Sequence, residues 1–149
     1  MCIRDRDWES SLTNNNFIKS NSLQIKTTKI DYFLKNENLD GYHLFIKLDI
    51  EGNEFDAIKG SLDTIQKYSP LIIIEFSKYN LDNNRDNLNF LDFFLEKFDY
   101  SIYTTSSNKI KTEKIIDLLE NLDDSHQTIG NYYLIKNASK TESIFLENE

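Results

Sequence analysis

Apolar residues in this chain fall into short blocks whose spacing changes from two to three or four and back. Leu23, Ile25 and Thr27 alternate with Gln24, Lys26 and Thr28, the period of a half-exposed strand, and Ile30, Phe33 and Leu34 follow at the spacing of a helical turn. His43 to Ile50 (HLFIKLDI) is a dense apolar run of strand length, interrupted by Lys47 and closed by Asp49, and it predicts a central strand buried on both faces. Gly52 breaks it. Asn53 stands where a helix cap belongs, Glu54 and Asp56 put negative charge in the first turn, and Phe55, Ile58, Leu62 and Ile65 continue as one helix as far as Ser69 and Pro70. Leu71 to Phe76 (LIIIEF) reads as a second buried strand. Strand, helix and strand within about 35 residues make a βαβ unit, with parallel strands and a right-handed crossover.

Further on, Leu88, Leu91, Leu95 and Phe98 share a helical face with Phe94 beside them, and Tyr100 to Thr104 is extended. Thr112 can cap a weaker helix through Ile115, Leu119 and Leu122, and Asn131 to Lys136 (NYYLIK) is the last strand-like segment. The tail is polar apart from Ile144, Phe145 and Leu146. With one Pro and four Gly in 149 residues, the loops are marked instead by polar clusters at Asn14–Asn16, Asn80–Asn89 and Ser106–Asn108.

The length suits one domain, and 39% hydrophobic with 13% aromatic residues is enough to fill a core, which excludes a disordered chain. Seventeen basic against 25 acidic residues give a net charge of -8, so a nucleic-acid or anionic-membrane surface is disfavoured: both draw their strength from clustered cations. Cys2 alone can form neither an internal disulfide nor a thiolate metal cluster, and the expected setting is the reducing cytoplasm. The longest purely apolar stretch, Leu71 to Ile74, is far short of the ~20 residues that span a bilayer. Met-Cys-Ile-Arg-Asp-Arg at the start fits no periodic pattern, and residues 1–8 read as a non-native or disordered tip.

In open α/β sheets ligands bind outside the carboxyl ends of the strands, and two strand ends here carry acids: Lys47, Asp49, Glu51 and Glu54 in IKLDIEGNE, and Glu75 in LIIIEFS. Alternation puts Lys47, Asp49 and Glu51 on one side of the extended chain. Glu75 follows four apolar residues, and a carboxylate placed so deep costs several kcal/mol unless it is paired or solvated by a cleft. Two uses are open to these acids at this point: capping helices and pairing with Lys47, or lining a crevice for chemistry. His43 and His126 have no spaced partner, and no metal site is assigned, since two or three carboxylates do not define one. Phe90, Phe93, Phe94 and Phe98 are best explained as a helix packing on the sheet, while Tyr132 and Tyr133 suit either a half-buried strand or a sugar site.

The stretch IKLDIEGNEFDAIKG, followed by SPLIIIEFS, resembles the FkbM-type methyltransferase domain through Lys47, Asp49, Glu51, Gly52, Glu54, Gly60, Pro70 and Glu75. Glu9 to Leu12 is similar to the family's Ser-Ser-Leu segment, and Ile25 to Leu34 to its Val-x-x-x-Thr-Leu-Asp segment, with Ile30 and Asp31 as the last two positions. The likeness covers roughly residues 9 to 77. It implies an α/β, Rossmann-like sheet, mostly parallel, and an S-adenosylmethionine-dependent O-methyltransferase acting on a hydroxyl of a glycan or secondary metabolite. The family's glycine-rich turn and the acid that holds the cofactor ribose belong before the Ser-Ser-Leu segment, and residues 1–8 supply neither. Residues 9–136 are therefore expected to be the C-terminal part of the domain, with its N-terminal strands and main cofactor site missing from the chain and residues 137–149 a polar tail.

On this reading Asp49 and Glu51 are the catalytic candidates on the acceptor side, while Lys47, Glu54 and Glu75 bind or position the acceptor. The competing class is a non-catalytic, degenerate module whose acidic crevice binds a partner or small molecule without turnover. Residues 1–149 alone should bind S-adenosylmethionine weakly or not at all by calorimetry, and a chain extended upstream should bind it measurably. Tight binding by the short chain would place the cofactor site within these residues.

Overall fold

The computed structural model describes residues 26–50, 52–77, 85–104, 109–110 and 128–147. In chain order the elements are α1 (Ile30–Phe33), β1 (Phe45–Leu48), α2 (Glu54–Lys59), α3 (Leu62–Tyr68), β2 (Leu71–Ser77), α4 (Arg85–Phe98), β3 (Tyr100–Tyr103), β4 (Lys109–Ile110), β5 (Thr128–Lys136) and α5 (Lys140–Glu147). The strands form a five-stranded sheet in the order β1-β2-β5-β3-β4.

The βαβ unit is present: β1 and β2 are parallel, with Phe45 opposite Leu71 and Leu48 opposite Ile74. The expectation of a mostly parallel sheet is not met. β2–β5, β5–β3 and β3–β4 are all antiparallel, and the architecture is a mixed α/β sheet with one parallel pair. The cause is β5, which enters between β2 and β3 running against both. Reversal on each side of β5 leaves β1, β2 and β3 pointing the same way, so their carboxyl ends lie at one edge of the sheet.

β1 is shorter and less buried than its sequence suggests. Among the described residues it is an edge strand with β2 on one side, and Phe45 on its outer face is 53% exposed. Leu48 on the inner face is buried with Ile72, Ile74, Tyr132 and Leu134. Of the early segment, Leu23 and Ile25 lie outside the described residues and Thr27 has no regular structure; the helix expected from Thr112, and His126, also lie outside them. The tail, read as polar apart from Ile144, Phe145 and Leu146, contains α5, fastened to β3 by the Tyr103 hydroxyl, which donates to Glu142 at 2.5 Å.

The crossover consists of two helices rather than the single one expected. The break falls at Gly60–Ser61, and Asp31 explains it. The Gly60 carbonyl accepts from the Asp31 amide at 3.0 Å instead of continuing a helix. The Asp31 carboxylate in turn accepts from the Asp63 amide (3.2 Å), the Thr64 amide (2.8 Å) and the Thr64 hydroxyl (2.7 Å). A helix leaves its first amides without intrahelical partners, and here a residue some thirty positions upstream satisfies them in place of a local cap. Ser69, in the left-handed region at φ 47°, closes α3, and its amide donates to Ile65.

α4 lies on the inner face through Leu91, Phe94 and Phe98, with the Phe94 ring 5.3 Å from those of Phe98 and Tyr100. Phe93 departs from the expected packing: it is exposed, with the Lys97 ammonium over its ring. The Tyr100 hydroxyl donates to the Pro70 carbonyl at 2.8 Å, and burial pushes its ionisation well above the ordinary tyrosine value.

Replacing Asp31 by Ala removes the cap from α3 and should cost about 1–2 kcal/mol. That is a fall in Tm of roughly 2–8 °C in a thermal melt, with Asp31→Asn, which keeps an acceptor oxygen, losing less. An unchanged Tm in Asp31→Ala would show that α3 starts without this contact.

Candidate functional site

The parallel register decides which side chains meet at the strand ends. Lys47 pairs with Ile73 and Leu48 with Ile74, so the next positions, Asp49 and Glu75, fall side by side; Glu75 is in register with Asn131 on β5. Alternation puts Lys47, Asp49, Ile73, Glu75, Asn131 and Tyr133 on the sheet face opposite the helix-packed core. The candidate site is this edge, where the ends of the parallel pair meet the reversed strand.

Two of the expected residues are in direct contact. Lys47 Nζ donates to Asp49 Oδ2 at 2.8 Å, with the two side chains 54% and 41% exposed. That hydrogen bond is the largest influence holding the Asp49 carboxyl below its ordinary value; partial burial works against it, and the Lys47 charge and a side-chain hydrogen bond with Glu75 add to it. Lys47 is raised by the same bond and by the charges of Asp49 and then Glu75. Lys47, Asp49 and Glu75 thus act on one another as a group of two carboxylates and one ammonium. A half-exposed pair of this kind gains little stability in water; its consequence is electrostatic, keeping Asp49 ionised beside Lys47.

The pH limits follow from the directions of the shifts. Asp49 has a lower pKa folded than unfolded, so its contribution is complete above the ordinary 3.8 and is lost as pH falls through the depressed value. Lys47 has a higher pKa folded, so its contribution is complete below the ordinary 10.5 and is lost as pH rises through the elevated value. The pair is intact across the neutral range.

Glu54 is placed differently from the other acids. It is 2% exposed, and its carboxylate faces the backbone of the preceding turn: Oε1 accepts from the Ile50 amide at 3.1 Å, and both oxygens accept from the Gly52 amide at 3.2 and 3.0 Å. Gly52 has φ 99°, a region that side chains rarely enter, which explains a glycine at this point of IEGNE. Asn53 occupies the cap position, and its carbonyl accepts from the Ala57 amide at 2.9 Å. Its side chain does not cap α2 and instead donates back to the Ile50 carbonyl at 3.3 Å. Glu51 lies outside the described residues.

Sequence reasoning did not single out Asn131, which only the reversed strand brings opposite Glu75, or the cap formed by Asp31. Tyr132 and Tyr133 separate as strand alternation requires: Tyr132 is in the core, and Tyr133 is half-buried on the site face. His43 is exposed at the start of the strand. No three His, Cys, Asp or Glu side chains converge as metal ligands among the described residues, and no helix there is long and apolar enough to cross a membrane.

The strand-end acid cluster beside the βαβ crossover lies at the edge where α/β sheets bind ligands, and comparison with known proteins identifies the family. The family model described as the methyltransferase FkbM domain matches residues 4–102, more than half of the chain and all of Lys47, Asp49, Glu51, Glu54 and Glu75. The chain belongs to the FkbM-type methyltransferase family. No curated protein and no solved structure matches it.

Replacing Lys47 by Met should raise the Asp49 carboxyl midpoint towards the ordinary 3.8 in a carbon-detected NMR titration. A midpoint that stays put would remove Lys47 as the cause of the shift.

Proposed function

We propose that this methyltransferase transfers a methyl group from S-adenosylmethionine to a hydroxyl of a glycan or secondary metabolite, with Asp49 receiving the hydroxyl proton. The observation that carries the reading is the meeting of Lys47, Asp49 and Glu75 at the carboxyl ends of β1 and β2, the edge of an α/β sheet where ligands bind. When bound, S-adenosylmethionine supplies an electrophilic methyl group on a sulfonium. The acidic strand end suits a cationic donor nearby. The residues that would hold its adenosine are not assigned.

Asp49 is ionised at neutral pH and half exposed, so it can accept a hydrogen bond from an acceptor hydroxyl and orient the oxygen lone pair. Once its oxygen carried the methyl group, the hydroxyl would be strongly acidic, and Asp49 would take its proton. The late timing matters. A carboxylate of depressed basicity is a poor base towards a neutral alcohol but a sufficient one towards an oxygen already bonded to the incoming methyl. Lys47 holds Asp49 in its ionised form, and Glu75 bounds the other side of the acceptor position. Glu51 shares the acceptor-side assignment from the sequence motif alone. Much of the rate is expected from alignment of the acceptor alone.

Asn cannot accept a proton at neutral pH but keeps the shape of Asp. In the full-length enzyme Asp49→Asn should leave Tm within a few degrees, a change of about 1 kcal/mol or less, and should lower methyl transfer by roughly 10² or more. Near-normal turnover in that variant would remove Asp49 from proton transfer.

A further inference from the structure

We propose that Glu54 is a positioning residue: through the amides of Ile50 and Gly52, its buried carboxylate sets the place of Asp49 beside Lys47 and Glu75. The catalytic part of this inference rests on the O-methyltransferase reading; the positioning of Asp49 does not.

The geometry has a direction that an ordinary structural acid lacks. An acid in the first turn of a helix normally binds that helix's own free amides or reaches back only as far as the cap residue. Glu54 instead reaches back along the chain to the amides of Ile50 and Gly52, the stretch that joins the end of β1 to α2. Ile50 immediately follows Asp49, so its amide belongs to the peptide group that joins Asp49 to the turn. The Asn53 side chain holds the Ile50 carbonyl, and the Ile50 peptide groups are therefore gripped from both directions.

Burial makes the grip stiff. Phe55 and Ile58, both in the core, lie on the same short helix, and a carboxylate displaced from the amides would lose charge-assisted hydrogen bonds without gaining water. Asp49 itself is half exposed and paired with the half-exposed Lys47 side chain, so the backbone beside it is its firmest constraint. The motif spacing then has a physical sense: Asp49 faces the crevice, Gly52 supplies the positive φ of the turn, and Glu54 locks that turn from beneath.

The test uses Glu54→Gln, which keeps the volume but presents an amide nitrogen to one of the donating N–H groups, and Glu54→Asp, which keeps the charge but shortens the reach. Three quantities are read in the full-length enzyme: Tm, the Asp49 midpoint by carbon-detected NMR, and kcat with KM for S-adenosylmethionine. In Glu54→Gln the Asp49 midpoint should rise towards 3.8, and kcat should fall roughly tenfold or more with that KM within about twofold. Glu54→Asp should show the same changes to a smaller degree, and it carries the comparison if the Gln variant does not fold. An Asp49 midpoint unmoved in both variants overturns the proposal whatever the activity. A moved midpoint with kcat intact overturns its catalytic part. Wild-type enzyme that methylates no hydroxyl, with the midpoint still moving in the variants, removes the functional reading and supports the positioning of Asp49.

Discussion

Adjacent parallel strands bring the residues at their carboxyl ends together, and in this protein that constraint governs everything at the candidate site. The register of β1 on β2, fixed by Leu48 opposite Ile74 on the buried face, leaves Asp49 and Glu75 no freedom to be elsewhere than side by side. A slip of one residue would turn Leu48 out of the core and Asp49 into it, exchanging a favourable burial for a costly one. Hydrophobic packing on one face of the pair therefore positions charge on the other.

The acids of this region divide by what they touch. Asp31 and Glu54 are bound to backbone amides, one to begin α3 and the other to hold the turn after β1. Asp49 and Glu75 are bound to side chains, with Lys47 between charge and solvent. Carboxylates on amides are fixed as firmly as the backbone that carries them, whereas carboxylates on an exposed ammonium can exchange that partner for a ligand. Backbone support and the exposed candidate site thus fall to different acids, although they look alike in sequence.

Local periodicity was enough to place β1, β2, α4 and the βαβ unit, because each depends on the spacing of its own apolar residues. The direction of β5 was not legible: NYYLIK alternates in the same way whether its neighbours run with it or against it, and direction is decided by the connections on either side. The edge position of β1 was hidden for a similar reason, since the apolar run HLFI does not say how many neighbours cover it. The break at Gly60–Ser61 required knowing that Asp31 arrives there from about thirty residues upstream. At the site, the contact between Lys47 and Asp49 was legible from a spacing of two in a strand. The inward turn of Glu54 was not, because a first-turn acid reads as a cap whichever way its carboxylate points.

The central claim is that Asp49 and Glu75 lie next to each other across the parallel pair, and cysteine cross-linking reads this directly. In a Cys2→Ser background, Asp49→Cys with Glu75→Cys should close to an intramolecular disulfide under mild oxidation, since neighbouring strands about 4.8 Å apart bring such positions within bonding range. Leu48→Cys with Glu75→Cys should not close, because Leu48 points to the other face of the sheet. Closure of the second pair and not the first would contradict the register and, with it, the site.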